Sequence, residues 1–142
     1  MPTWLKVILV ILAIGCVLVA VGVVVAARYI KQNAPQWREQ GEVVRAEGIA
    51  FGRGKEANAC VDEAMARLQR CDDLMMCEVR TKLFLSACLG AATRPEGFCS
   101  GVPKRDEILA SAQWAVRECA RRGQANSQRC TRVIAAVQEV CE

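Results

Sequence analysis

Apolar residues run uninterrupted by charge from Val7 to Ala27, "VILVILAIGCVLVAVGVVVAA", and beyond that run they recur at helical spacing. At about 1.5 Å of rise per residue the run spans roughly 31 Å, the thickness of a hydrocarbon core. Trp4 and Tyr29 stand at its two ends, where amphipathic rings favour the headgroup level. A buried core helix would rarely extend so far without a polar residue, so residues 1–32 are expected to form a transmembrane signal anchor. The run is longer than the roughly 7–15 apolar residues of a cleaved leader. Cutting at "AIGC" would leave the apolar stretch Val17 to Ala27 at the new terminus, so a retained anchor is the expectation.

Further along, four stretches carry apolar stripes at 100° per residue. Ala64, Leu68 and Cys71 align with Cys60, and Thr81, Phe84, Leu85 and Cys88 align with Cys77. Ile108, Ala112, Ala115, Val116 and Cys119 form a third stripe; Val133, Ile134, Val137 and Cys141 form a fourth. The second stretch also carries Met76, Val79, Leu83 and Ala87 on its back, which predicts a position between two helical hairpins. Trp114 falls at about 240° on a helix whose stripe centres near about 40°. It therefore points away from its own hairpin, and either packs against the other or marks an exposed partner site, since Trp is enriched at interface hot spots.

The cysteines share this periodicity. Cys60, Cys71, Cys77 and Cys88 are spaced eleven, six and eleven apart. Eleven residues of helix turn through about 1100°, only about 20° past three full turns, so each eleven-residue pair lies on one face. Folding the two helices antiparallel about "DDLMM" sets Cys71 level with Cys77 and Cys60 level with Cys88, as disulfide geometry requires. Asp72 and Asp73 in that turn read as caps rather than catalysts. In the C-terminal half "RRGQANSQ" supplies a second reversal, with Gly123 as helix stop and Asn126 or Ser127 as N-cap. Mirroring there pairs Cys119 with Cys130. Cys99, in the Gly/Pro-rich "TRPEGFCSGVPKRDE", is expected to close on Cys141, with a cross-link between hairpins as the alternative. The architecture expected is thus all-α: the anchor at 1–32, a juxtamembrane linker at 33–55, and a disulfide-stapled bundle of two antiparallel hairpins, 56–92 and 104–142.

The spacing over residues 60–88 resembles the twin C-x9-C helical hairpins of the mitochondrial intermembrane space, some of which carry a C-x10-C half. The resemblance covers those 29 residues and rests on cysteine spacing alone. It implies the same nested pairing.

The linker "GEVVRAEGIAFGRGKEAN" is too apolar for a free tether, with Val43, Val44, Ile49 and Phe51 in it. A short helix from about Trp37 to Glu47 is expected, then a glycine-rich turn that carries Phe51 onto the bundle. Trp37 reads as an interfacial anchor that can also meet a partner. Gly22 and Ala26 make a small-xxx-small pair on the span, as do Cys16 and Ala20, and such pairs let membrane helices approach closely.

Charge refines the compartment. Residues 1–55 carry seven Lys/Arg against three Glu, whereas residues 56–142 carry twelve of each sign. A neutral domain with few aromatic residues offers nothing to nucleic acid. Arg28 and Lys31 follow the span and Lys6 precedes it, which by the positive-inside rule leaves the domain in the cytosol. However, long domains translocate largely regardless of charge, and a cytosol would keep the mirrored thiols reduced. The domain is expected to face the periplasm or an equivalent oxidising space.

Candidate chemistry is sparse. The chain has no histidine, the commonest general base and metal ligand. It has no Cys-x-x-Cys, and "FGRGKEAN" lacks phosphate-loop spacing. Glu96, Asp106 and Glu107 read as residues that start or flank the third helix. No catalytic residue and no cofactor is expected. The favoured function is a membrane-anchored interaction module that meets a protein partner or a second copy. One alternative is a carrier, with a continuous apolar cavity among Phe84, Leu85, Ile108 and Val137. Another is a thiol-redox or soft-metal protein, which needs free cysteines.

Overall fold

A computed structural model describes residues 3–72 and 76–142, so most of the "DDLMM" reversal, Asp73 included, lies outside the described residues. The chain is all-helical, with five helices and no strand among the described residues. These are α1 (Thr3–Gly52), α2 (Ala57–Gln69), α3 (Met76–Ala91), α4 (Ile108–Arg121) and α5 (Gln128–Cys141). Contacts divide the chain into two units at Glu39 and Gln40.

In the first unit α1 is long and apolar enough to cross a membrane, and the large side chains from Val7 to Val25 are exposed. Tyr29 meets Trp37 edge to face at 6.4 Å between ring centroids. Pro35 lies inside the helix and leaves the Lys31 carbonyl without its intrahelical donor.

In the second unit, Gln40–Glu142, the core gathers Val61, Ala64, Leu68, Phe84, Leu85, Leu89, Val133 and Ile134 with the cysteines of α2, α3, α4 and α5. Helix α3 is used on three sides. Its Cys77 and Cys88 meet Cys71 and Cys60, which lie beside and within α2. Its Glu78 and Lys82 pair with Arg132 and Glu139 of α5 at 2.5 and 2.9 Å. Its third side takes the end of α1. The doubly apolar pattern of α3 did foretell a central position. The residues on its back, though, split in an unforeseen way: Leu83 and Ala87 lie under α1, while Met76 and Val79 are 41% and 56% exposed.

Residues 40–52 thus differ from the expected short helix and turn. The helix continues to Gly52, and its packing face is Gly41, Val44, Gly48, Phe51 and Gly52. Phe51 does reach the core, edge to face with Phe84 at 5.7 Å. The glycines explain how the backbone comes so close. A Cβ on Gly48 would stand 2.6 Å from the Phe84 carbonyl oxygen and 3.0 Å from the Ala87 Cβ. A Cβ on Gly52 would run into the Cys88 carbonyl.

Ends and turns follow local chemistry. Gly123 takes φ 73°, its N–H donates to Ala120 O, and the Gln124 N–H donates to Cys119 O, the double bond of a Schellman stop. Ser127 caps α5 by accepting from the Cys130 N–H, and Asn126 has the left-handed φ of 64°. Of the two capping candidates, the serine is therefore the cap.

Ion pairs brace the helices. Arg67 donates to Glu47 of α1 at 2.8 Å and to Glu63 at 2.9 Å, with its guanidinium 3.7 Å from the Phe84 ring centre. The hydrogen bond from Arg67 holds the Glu47 carboxyl below its usual range, and Arg132 does the same to Glu78. Groups depressed on folding stabilise above their unfolded pKa and lose that contribution as pH falls through the folded value.

Two outcomes are expected. In urea titrations of the full chain in detergent, Gly48→Ala and Gly52→Ala each lower stability by about 1–3 kcal/mol, as overpacking does. Gly90→Ala, whose Cβ meets nothing within 4 Å, raises it by about 0.5–1 kcal/mol through helix entropy. Secondly, the urea midpoint falls as pH drops below about 4.3, the unfolded glutamate value. The Glu47→Gln/Glu78→Gln double variant shows a shallower acid limb.

Candidate interaction surface

Four disulfides set the frame on which any surface must be built: Cys60–Cys88, Cys71–Cys77, Cys99–Cys141 and Cys119–Cys130. Their Cα separations of 5.8, 6.0, 5.4 and 6.0 Å lie within ordinary disulfide geometry. All eight cysteines after the apolar run are thereby used, and Cys16 on α1 is free and exposed. A thiol-based chemistry in the second unit would first have to open one of these bonds.

Helix α4 carries the main departure from the sequence pattern. Its buried arc is Trp114, Ala115 and Cys119, with Ser111, Glu118 and Arg122 half-buried beside them. Ile108 is 81% exposed, Leu109 73% and Val116 50%, with Ala112 open between them. The stripe assigned to the core thus faces outward except at Ala115 and Cys119. Tertiary contacts give the reason. Among the helices α4 packs on α5, and the Cys119–Cys130 bond pins the edge of its apolar arc. The helix is then rotated so that the indole goes in and the aliphatic side chains stay out. Burying an aromatic of roughly 150–250 Å² outweighs burying one aliphatic edge.

Trp114 is 5% exposed, which corrects its placement as an open partner site. It forms one wall of a groove of about 630 Å³ whose other apolar walls include Val61, Phe98, Ile134 and Val137. The groove is rimmed by Glu56, Asp62, Glu96 and Arg121. Two polar networks hold this wall. Gln138, 4% exposed, donates from Nε2 to Pro103 O at 3.0 Å and to Ser111 Oγ at 2.9 Å. Glu118 accepts from Arg121 and from Arg122, and Arg122 lies 3.5 Å from Asp62 of α2. Gln124 ties the α4–α5 turn to the Met65 carbonyl of α2 at 3.0 Å.

The remaining expected sites fall elsewhere. Trp37 is 43% exposed on α1, and a Cβ on Gly22 meets nothing within 4 Å. Ala26 is exposed on the same helix. The four residues expected around a carrier cavity do not surround one. Phe84 and Leu85 are fully buried in the packed core, whereas Ile108 stands in the open on α4. Glu107 does precede α4, accepting the Lys104 N–H at 3.0 Å, while Glu96 lies in the irregular segment before it. Sequence reading missed Gly48 and Gly52. Their small-xxx-small spacing, the same as that of Gly22 and Ala26, was the available signal.

Trp114→Ala is expected to cost about 3–5 kcal/mol in urea unfolding, as large aromatic truncations do. Ile108→Ser and Val116→Ser are expected to stay within about 0.5 kcal/mol of the parent, as surface changes do. Equal losses at all three positions would return the aliphatic arc to the core.

Comparison with family models, with curated proteins and with solved structures finds no match, so the functional reading rests on the chain's own chemistry.

Proposed function

We propose that this chain is a single-pass, membrane-anchored, non-catalytic interaction module that serves as an accessory subunit or docking domain of a larger membrane complex. The apolar run Val7–Ala27 spans the bilayer, and Tyr29 and Trp37 sit at headgroup level. The helical domain faces the periplasm or an equivalent oxidising space, arranged as two antiparallel hairpins, 56–92 and 104–142. The four disulfides support that compartment, because a reducing cytosol would keep their cysteines as thiols.

The observation that carries the docking role is the aliphatic arc of α4. Ile108, Leu109 and Val116 lie open on a domain whose other large aliphatic side chains are mostly packed inside. Contiguous exposed apolar surface marks contact sites in soluble domains. Ile108, Leu109, Ala112 and Val116 share one side of α4, and a covering partner would present an apolar helix face to it. Arg117, on the edge of this arc beside Val116, favours an acidic flank on that partner.

A photo-crosslinking residue at Leu109 or Val116, introduced into the full chain in its native membrane, is expected to give one discrete adduct. Ile108→Asp should abolish it, and a crosslinker at Arg70, whose side chain is 68% exposed just past the end of α2, should not form it. Absence of an α4-specific adduct would overturn the docking role.

A further inference from the structure

The four disulfides are not equally sheltered. Cys60, Cys88 and Cys130 are 0% exposed and Cys119 is 1%, so two cross-links are sealed in the core. Cys99 and Cys141 are half-buried, as are Cys71 and Cys77. Thiol–disulfide exchange needs a thiolate to reach a sulfur, so sheltered bonds resist it and open ones yield.

The two accessible bonds hold very different things. Cys71–Cys77 closes a separation of six residues between α2 and α3, which Cys60–Cys88 joins in any case. Cys99–Cys141 spans 42 residues and fastens the irregular segment between α3 and α4 to the end of α5. That segment forms one side of the Trp114 groove, through Pro95, Gly97, Phe98, Ser100 and Val102.

The two ends of the segment are tied independently. Thr93 exchanges backbone bonds with Lys55 and Ala57, and Arg94 donates to the Val140 carbonyl. At the other end, Gln138 donates to the Pro103 carbonyl and Arg105 pairs with Glu142. Between them, residues 95–102 bond only to one another: Phe98 to Pro95, Ser100 to Gly97 and Val102 to Cys99. Among the described residues no hydrogen bond joins 95–102 to a helix. Two half-buried side chains, Phe98 and Val102, and the Cys99–Cys141 bond are what press this strap onto the core.

We propose that Cys99–Cys141 is a thiol-exchange site that latches the strap 95–102 over the Trp114 groove, and that a dithiol reductant opens it while the core cross-links stay closed. A reductant thiolate attacks one of the two sulfurs and forms a mixed disulfide. The other cysteine leaves as a thiolate and takes up a proton. The second reductant thiol then displaces the first cysteine, so one protein disulfide becomes two thiols and the dithiol becomes a cyclic disulfide. With the latch open, loss of the long-range link leaves the strap free to fluctuate between its tied ends, and the groove widens.

The test uses the full chain in detergent micelles, titrated with dithiothreitol, quenched, alkylated and mapped by mass spectrometry, with hydrogen exchange measured at each step. The expected result is alkylation of Cys99 and Cys141 while Cys60–Cys88 and Cys119–Cys130 remain intact. Backbone exchange over 95–102 then rises about tenfold or more, and α2–α5 keep their protection. The Cys99→Ser/Cys141→Ser double variant should reproduce that exchange pattern without reductant. Cooperative opening of all four bonds, survival of Cys99–Cys141 beyond the buried pairs, or opening without faster exchange at 95–102 would each overturn the proposal.

Discussion

The contact on which the second unit depends is the approach of the α1 backbone to the carbonyls of Phe84 and Cys88. It exists because residues 48 and 52 have no side chain. Backbone contact at that range lets Phe51 reach Phe84 and sets Glu47 within reach of Arg67. Cys88 also carries the bond to Cys60, so one residue of α3 receives α1 on its main chain and α2 on its side chain. Neither element could shift along α3 without losing the other's register.

Cross-links and packing divide the work unevenly. The two sealed disulfides sit inside the core, where they replace apolar side chains as well as restricting the unfolded chain. Each such link contributes about 2–4 kcal/mol, chiefly through the unfolded state. That suits a domain near one hundred residues, whose surface-to-volume ratio limits how much apolar area it buries. The Cys99–Cys141 link does a different job: it holds a strap whose own hydrogen bonds do not attach it to the helices.

Helix α4 shows what happens when an element has more apolar arc than neighbours. It has α5 to pack on, and the hydrogen bond from Gln138 of α5 to its own Ser111 takes up part of that contact. The indole and Cys119 take the inward arc, and the aliphatic residues are left over. Arg122 and Glu118, also on the inward arc, keep each other neutral close to the core. Such a helix is stable because the disulfide, rather than its aliphatic face, fixes it.

The sequence by itself determined what depends on local periodicity. Eleven residues make three turns within about 20°, so the pairs Cys60–Cys88, Cys71–Cys77 and Cys119–Cys130 were legible from spacing. Cys99–Cys141 was expected with a cross-link between hairpins as the alternative, and the structure chose between them. The long apolar run and the Gly123 helix stop were equally local, while the choice of Ser127 over Asn126 as N-cap came from the structure. Only the tertiary structure decided the rotation of α4 and the docking of residues 40–52. Periodicity shows which arcs of a helix are apolar, but not which arc a neighbour will cover, and for Ile108 and Trp114 the two differ. The role of Gly48 and Gly52 lay in a missing atom, and a missing atom has meaning only when another chain segment occupies its place.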